Sequence, residues 1–574
     1  MTSGQERSGE GAESATDESL GFALLSILRP IKSSANKRKN LPHWRNVTKS
    51  SLGLLIFASI LAALCGTAIL AVLSLEAKTQ HSRSVVPALS FVAVLIAYRW
   101  SQIYVMRKAS GSIELALNTS RIYVANKLML LPLSEVEEMT KGRIIDGLTR
   151  HYEVLSQQLL PLIACFQSMI VAAFMLVFLV IISPIAGLIT IGVGTILIVH
   201  FLATESTLKR ELSATAEADV ELSRMSEDIV NGFKELRLNS VKNSAINLDF
   251  QTKSSALTDH RTKRGRIWGD LFVAGTSYSY VIAAAVIFII PILSGDGNSD
   301  TTRIVIPVLF LLGPITASIG GIQQLSTARF IIYNIRELEN ELEIRGEPSP
   351  QYTDYFNGFS KIKFSGLSYS HNKSAVSDTG FVVSELNMTI EAGKIIFITG
   401  ANGSGKTTAL RLFCGLYQPD RGQIELDGSP LVAELRQSYR ELFSTVFADF
   451  HLFRKPYALS EKGIIDLENT LISLRIRNIL PVNLRDGYDA NRLSTGQRKR
   501  LGLALALAEN RPILLLDEWA ADQDPETRKE FYRTILPRIR DQGKTIIAVC
   551  HDDYYFDCAD IRYHMDNGRM ASVS

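Results

Sequence analysis

Six stretches of this chain are long and apolar enough to dictate its architecture. Leu52–Leu75 carries no charge over 24 residues, Val85–Met106 carries only Arg99, and Leu159–Ile182 and Ile185–Leu202 are joined by Ser183-Pro184. The last two are uncharged apart from a possible charge on His200, and Leu271–Leu293 and Ile304–Ile322 complete the set without any. A helix rises about 1.5 Å per residue, so about 20 residues cross a hydrocarbon core. One such stretch fits a buried core helix, but six in one chain point to a polytopic α-helical membrane domain. The mean hydropathy of +0.12 is too high for a wholly soluble chain and too low for one embedded throughout. A membrane part joined to a water-exposed part resolves this.

Charge sets the expected orientation. Eight Lys and Arg fall within residues 1–50, seven between Arg107 and Arg150, and eleven between Lys209 and Arg266. The remaining connections carry only Lys78, Arg83 and Arg303. Positive charge stays on the cytoplasmic side, so both termini and both long loops are expected there. With 61 basic and 58 acidic residues the net charge is +3, which gives no signature of a nucleic-acid partner. The five cysteines, Cys65, Cys165, Cys414, Cys550 and Cys558, form no CxxC pair, against a disulfide framework or zinc ribbon and in keeping with a reducing cytosol.

The sequence divides into a cytoplasmic N-terminal tail and elbow helix (1–50), a six-helix transmembrane domain (51–342), a linker (343–360) and an α/β domain (361–574). Residues 1–19 read as a disordered tail, and Leu20–Ile31, too short to span, reads as an elbow helix along the interface. Gly346, Pro348, Pro350 and Gly358 mark the linker. After it, short apolar runs alternate with helical patterns.

Within that last part, Gly400-Ala-Asn402-Gly403-Ser404-Gly405-Lys406-Thr407-Thr408 follows the apolar run Ile395–Thr399 and precedes a helix-like Ala409–Leu416. This is the strand–loop–helix setting of a phosphate-binding loop, in which small residues let backbone N–H groups face the phosphates. Lys406 is placed to reach the β/γ-phosphates and Thr407 to hold Mg²⁺. Ile513-Leu-Leu-Leu-Asp517-Glu518 is a buried strand ending in two carboxylates: either a solvated acidic turn, or a metal-water ligand (Asp517) beside a group polarising the attacking water (Glu518). Ser494-Thr495-Gly496-Gln497 opens a helix as an ordinary N-cap or as a second phosphate contact. His551 ends another apolar strand, where a lone histidine is usually structural, and Asp524 precedes Pro525 in a turn.

In this order and spacing the motifs resemble the ATPase domain of ABC transporters: Walker A, a signature sequence, Walker B, D-loop and H-switch. Six spanning helices upstream of one such domain resemble an ABC exporter half-transporter. Finer strings, Leu515–Pro525 with its Trp-Ala-Ala-Asp-Gln-Asp, Thr495–Leu501 and Cys550–Tyr555, look like the cyclic-peptide exporter branch, related to syringomycin, pyoverdine and microcin efflux. The resemblance implies ATP and Mg²⁺ as ligands, Glu518 and His551 as catalytic residues, Ser494–Gln497 and Asp524 as nucleotide contacts, and an aromatic stacked on adenine. His371 is the positional match for that aromatic and Tyr369 the alternative.

The resemblance also implies a homodimer in the bacterial cytoplasmic membrane, in contact with lipid, exporting a peptide-like cargo. A lipid or multidrug exporter, or a regulatory ATPase without cargo, is the alternative. Ser120–Leu130 and Ile229–Ser240 are the expected contact points of the two inner loops with the ATPase. At the usual Q-loop glutamine stands Ala448, with Asp449 next to it. Asp449 either takes over as a metal ligand or points into solvent. Arg99 is either functional or snorkels to the interface, and Tyr278, Tyr280, Phe288 and Phe310 either line a cavity or face lipid.

Overall fold

The structure, a computed structural model, describes residues 44–76, 85–289, 301–347, 356, 358–370, 382–481 and 483–573. The expected N-terminal tail, the elbow segment Leu20–Ile31 and His371 lie outside these residues. Packing separates two units. One comprises the described residues up to Met129 together with Met139–Ile344, and the other comprises Leu130–Glu138 together with Arg345 onward.

The first unit is helical. Its long helices are α1 (Trp44–Glu76) and α2 (Val86–Leu128). A short helix of the second unit, α3 (Leu133–Glu138), comes next in the chain. Then follow α4 (Lys141–Leu148), α5 (Arg150–Ile182), α6 (Pro184–Asn231), α7 (Phe233–Leu238), α8 (Ser240–Ala284) and α9 (Thr301–Arg345). Among the described residues six helices are long and apolar enough to cross a membrane, and each overlaps one of the six stretches read from sequence. The Ser183-Pro184 junction works as a helix start: the Ser183 hydroxyl accepts from the Ala186 N–H at 3.3 Å, and Pro184 occupies the first turn, where its missing N–H costs nothing. At 48 residues α6 is about 72 Å long, far beyond a hydrocarbon core of about 30 Å. Its polar end therefore projects from the membrane, as expected of the long inner loops.

Arg99 and His200 are exposed. Tyr278 lines an apolar cavity of about 300 Å³ with Thr190, Ser279 and Leu311. Tyr280, Phe288 and Phe310 are at least half exposed on the unit's surface.

The second unit carries two sheets. Strands β1 (Lys361–Ser370), β2 (Val382–Glu391), β4 (Arg421–Leu426) and β5 (Ser429–Pro430) form an antiparallel sheet in the order β2-β1-β4-β5. The other strands are β3 (Ile395–Gly400), β6 (Phe443–Val446), β7 (Ile513–Leu516), β8 (Thr545–Val549), β9 (Ile561–Asp566) and β10 (Arg569–Val573). They are ordered β10-β9-β3-β8-β7-β6, and β9, β3, β8, β7 and β6 run parallel. The near-continuous Ile/Leu/Val content of β3, β7 and β8 is the composition of strands covered on both faces, and all three are buried. In an open parallel sheet ligands bind beyond the carboxyl ends of the strands. Gly400, Asp517 and Cys550-His551 stand there, on the neighbouring strands β3, β7 and β8.

The first expected contact segment, Ser120–Leu130, divides between the units: it belongs to the helical one up to Met129 and to the other at Leu130. Ser120 stays within the helical unit, hydrogen-bonded to Tyr152 and Glu339 at 3.0 Å each. Leu130–Glu138, which includes α3, belongs to the α/β unit. The second expected contact, Ile229–Ser240, is the turn holding α7, where Phe233 and Leu238 are exposed.

Candidate functional site

The loop between β3 and α10 (Lys406–Phe413) is shaped by its glycines: Gly400, Gly403 and Gly405 all have positive φ. A Cβ at Gly400 would collide with the Met565 carbonyl oxygen, so only glycine fits the start of the loop. Lys406 is buried, and its Nζ donates to the Gly400 and Ala401 carbonyls at 3.0 and 2.9 Å. Burial lowers its pKa, against the opposing pull of the Glu518 and Asp517 carboxylates. The Thr407 hydroxyl donates to Asp517 Oδ2 at 2.8 Å.

Asp517 is only 1% exposed, and its Oδ1 has no hydrogen-bond partner. Burial raises its pKa, partly offset by the Thr407 hydroxyl. A buried, unpartnered carboxylate oxygen costs about 1–3 kcal/mol, and such orphans call for a ligand. Ser404 Oγ is a second buried atom without a partner in the same loop. Oxygen donors of this kind suit Mg²⁺, which keeps waters and takes a few protein oxygens beside substrate phosphates. Thr407 and Asp517 would hold it, and it would neutralise charge developing on the transferred phosphoryl group.

Glu518 follows Asp517 in the left-handed backbone region, φ 50° and ψ 36°. Its Oε1 stands 2.9 Å from His551 Nε2, so the two expected catalytic side chains are in hydrogen-bond contact. A carboxylate oriented by an imidazole is suited to polarise a water.

At the signature, Ser494 is the N-cap of α11 (Thr495–Ala508). Its side chain accepts from the Gln497 N–H, and the Gln497 side chain accepts from the Ser494 N–H, a complete capping box. The N-cap role is therefore met within the chain, while Ser494 and Thr495 stay exposed and available to a phosphate. Asp524 caps the next helix, α12 (Pro525–Glu530), accepting from the Thr527 N–H at 2.9 Å, and pairs with Arg500 at 3.0 Å.

Tyr369 sits away from the role expected of it, and Asp449 takes the second of its two alternatives, an exposed side chain. Tyr369 is 7% exposed in the core, its ring stacked on Tyr417 at 4.6 Å and 10°, so it is not placed to stack on adenine. Along β1 the buried positions pass from Ile362 and Phe364 to Leu367 and Tyr369 across a register shift, and this irregularity puts Tyr369 on the core face. Asp449 bonds neither Thr407 nor Asp517; its carboxylate accepts from Arg411 at 2.8 Å. Arg411, Tyr417 and Glu137 form a group that sequence reasoning missed. Arg411 Nη1 donates to Glu137 of α3 at 3.0 Å and to the Tyr417 hydroxyl at 2.7 Å, and that hydroxyl donates to Glu137 at 2.5 Å. No motif marks this cluster.

The family profile described as "ABC transporter" matches residues 383–521. The chain is 29% identical to ATP-binding protein SyrD of Pseudomonas syringae pv. syringae, over 79% of this chain and 82% of that protein. It is 24% identical to the ATP-dependent lipid A-core flippase of Alkalilimnicola ehrlichii, over 78% and 77%. It is 32% identical to the energy-coupling factor transporter ATP-binding protein EcfA1 of Thermotoga maritima, over 37% of this chain and 80% of that protein. Among solved structures, a bacterial Atm1-family ABC exporter with ATP bound shares the fold, with a TM-score of 0.72 at 19% identity over 91% of this chain and 95% of that one.

The fold and the phosphate-binding site together define a membrane ATPase. The chain belongs to the ABC transporter family, as a half-transporter of the exporter type that couples ATP hydrolysis to transport. It is a multi-pass bacterial membrane protein.

Proposed function

We propose that the protein exports a peptide-like compound, a cyclic peptide or siderophore-type molecule, across the cytoplasmic membrane, working as a homodimer with both termini in the cytoplasm. The observation that carries the cargo is the Leu515–Pro525 string, which resembles the cyclic-peptide exporter branch; the likeness to SyrD over most of the chain supports it. Orientation rests on the excess of Lys and Arg in the N-terminal segment and the two long loops.

The dimer rests on the separation of motifs. One chain holds one phosphate-binding loop and one signature, and Ser494 and Thr495 lie exposed at a helix N-terminus, a geometry that suits the γ-phosphate of a nucleotide held by a second copy. In that arrangement Lys406, the loop N–H groups and Thr407 bind the phosphates, Glu518 held by His551 polarises water, and His371 is the candidate to stack on adenine. Closure of the dimer is favoured because ATP binds the closed state better than the open one.

A lipid cargo is the second reading, favoured by the flippase likeness over 78% of the chain. Deletion of the gene decides between them. Retention of a peptide metabolite inside the cells, restored to secretion by the wild-type gene and not by Glu518→Gln, is the expected result. Normal peptide secretion with a changed distribution of membrane lipid between leaflets would favour the lipid reading.

A further inference from the structure

Lys499 lies in the first turns of the signature helix α11 and is 5% exposed, an unusual place for an ammonium group. Its Nζ donates to the backbone carbonyl of Glu518 at 2.7 Å and pairs with Asp522 at 2.7 Å. The chain returns the contact: the indole N–H of Trp519, the residue after Glu518, donates to the Lys499 carbonyl at 2.7 Å. Trp519 is itself 1% exposed, packed on Phe531 with ring centroids 4.2 Å apart. Two hydrogen bonds in opposite directions thus clamp Glu518-Trp519 to Lys499.

The clamp sits where the backbone is least comfortable. A non-glycine residue in the left-handed region is sterically disfavoured and persists only where its surroundings over-determine it. Glu518 is such a residue, and the Lys499 ammonium is bonded to its carbonyl. The backbone conformation sets where the carboxylate points, and its Oε1 meets His551. A neutral donor would satisfy the carbonyl as well; the positive charge is balanced by Asp522, whose carboxylate is 44% exposed. Neighbouring contacts run the same way. Gln523 Nε2 donates to the Gly496 carbonyl at 3.2 Å, and a Cβ at Gly496 would stand 2.9 Å from the Asp522 carbonyl oxygen. The signature turn and the catalytic loop are packed backbone to backbone.

We propose that Lys499 is a positioning residue for ATP hydrolysis: its buried ammonium, locked by Trp519 and Asp522, fixes the left-handed backbone of Glu518 and so aims the catalytic carboxylate. It makes the signature turn and the catalytic carboxylate of one chain a single body, so a displacement of the signature by nucleotide moves Glu518 with it. The role concerns hydrolysis alone and holds whichever cargo is carried.

The test compares Lys499→Met, which keeps volume and removes the donor, with Lys499→Gln, which keeps a donor for the Glu518 carbonyl. Both are made in the full chain reconstituted in lipid, with steady-state ATPase kinetics and fluorescent-nucleotide binding as readouts. Lys499→Met is expected to lower kcat about ten-fold with KM and nucleotide affinity within about two-fold of wild type, and Lys499→Gln to restore kcat to within about three-fold. Trp519→Phe, which removes the locking N–H with the smallest loss of buried ring, is expected to lower kcat about three-fold at unchanged KM, and it carries the test should Lys499→Met not fold. Three results would overturn the proposal: wild-type kcat in Lys499→Met or Trp519→Phe, equal loss in the Gln and Met variants, or loss of nucleotide affinity in step with kcat.

Discussion

Arg411 Nη2 donates to the carboxylate of Asp449 at 2.8 Å. Arg411 sits in the last turn of the helix that begins with Lys406, and Asp449 stands next to the position usually held by the Q-loop glutamine. The same guanidinium reaches Glu137 of α3 at 3.0 Å and lies 5.6 Å from the centre of the Tyr417 ring. Arg411 is therefore a three-way tie between the phosphate-loop helix, the Asp449 loop and the short helix that follows α2. Burial alone would lower its pKa; the Tyr417 hydroxyl and the Asp449 and Glu137 carboxylates outweigh this and raise it. Burial, with Glu137 behind it, pushes the Tyr417 hydroxyl up as well, so it stays a neutral donor at any working pH.

The first prediction follows from that tie. Asp449→Ala removes one of two carboxylates from Arg411 and no ligand from the metal site, so the Mg²⁺ concentration giving half-maximal ATPase activity should stay within about two-fold of wild type. Arg411→Ala leaves Glu137 and Asp449 without their guanidinium and should cut the stimulation of ATPase by cargo more than the basal rate. A Mg²⁺ titration of Asp449→Ala checks the first half, and a strongly raised Mg²⁺ requirement would return Asp449 to the metal.

Glu518→Gln keeps shape but loses the charge that, in the proposed mechanism, polarises water. Turnover should fall by about two to three orders of magnitude while ATP still binds. Lys406→Ala should instead weaken nucleotide binding, since its Nζ lies against the loop carbonyls where phosphate enters. Equilibrium binding of radiolabelled ATP alongside single-turnover hydrolysis separates the two.

Shared sites predict complementation. Mixed dimers of Lys406→Ala and Ser494→Arg chains place both lesions in one composite site and leave the other intact. Partial recovery of ATPase activity is expected in samples shown to exchange subunits. No recovery in such samples would count against the shared-site dimer.

Asp517 trades stability for function. Its pKa is raised by burial, so the ionised form is penalised in the folded state. That penalty is absent below the ordinary carboxylate pKa, where folded and unfolded chains are both protonated, and complete above the raised folded value. Without nucleotide, Asp517→Asn should therefore be the more stable protein at neutral pH, by about 1 kcal/mol, with the difference vanishing in acid. Thermal unfolding of both proteins across pH measures this, and ATPase activity of the variant should be abolished.

The membrane helices were legible because spanning a bilayer depends on length and apolarity, both local properties of sequence. Leu159–Ile182 and Ile185–Leu202 lie within α5 and α6, and Ser183-Pro184 is the break between them. The candidate ATP site was legible for a related reason. Gly400–Thr407 makes its own loop, and Asp517, Glu518 and His551 each end a short apolar strand, so sequence placed them at strand ends and parallel pairing gathered the ends together.

What the sequence determined by itself is thus the set of elements and the chemistry at their tips. Tertiary structure alone decided which distant side chains meet. Glu137 and Arg411 are 274 residues apart, and no periodicity on either helix announces the other. That Leu130–Glu138, with α3, belongs to the α/β unit could not be read from sequence, because helical character does not reveal where a chain leaves one unit for another. Tyr369 looked available for adenine until pairing of β1 with β2 and β4 fixed which face it shows to the core. Lys499 stands between Arg498 and Arg500, yet it is buried because α11 packs that face against the loop after β7. Side-chain pairing over long separations is set by topology and register, which a linear pattern of residues does not encode.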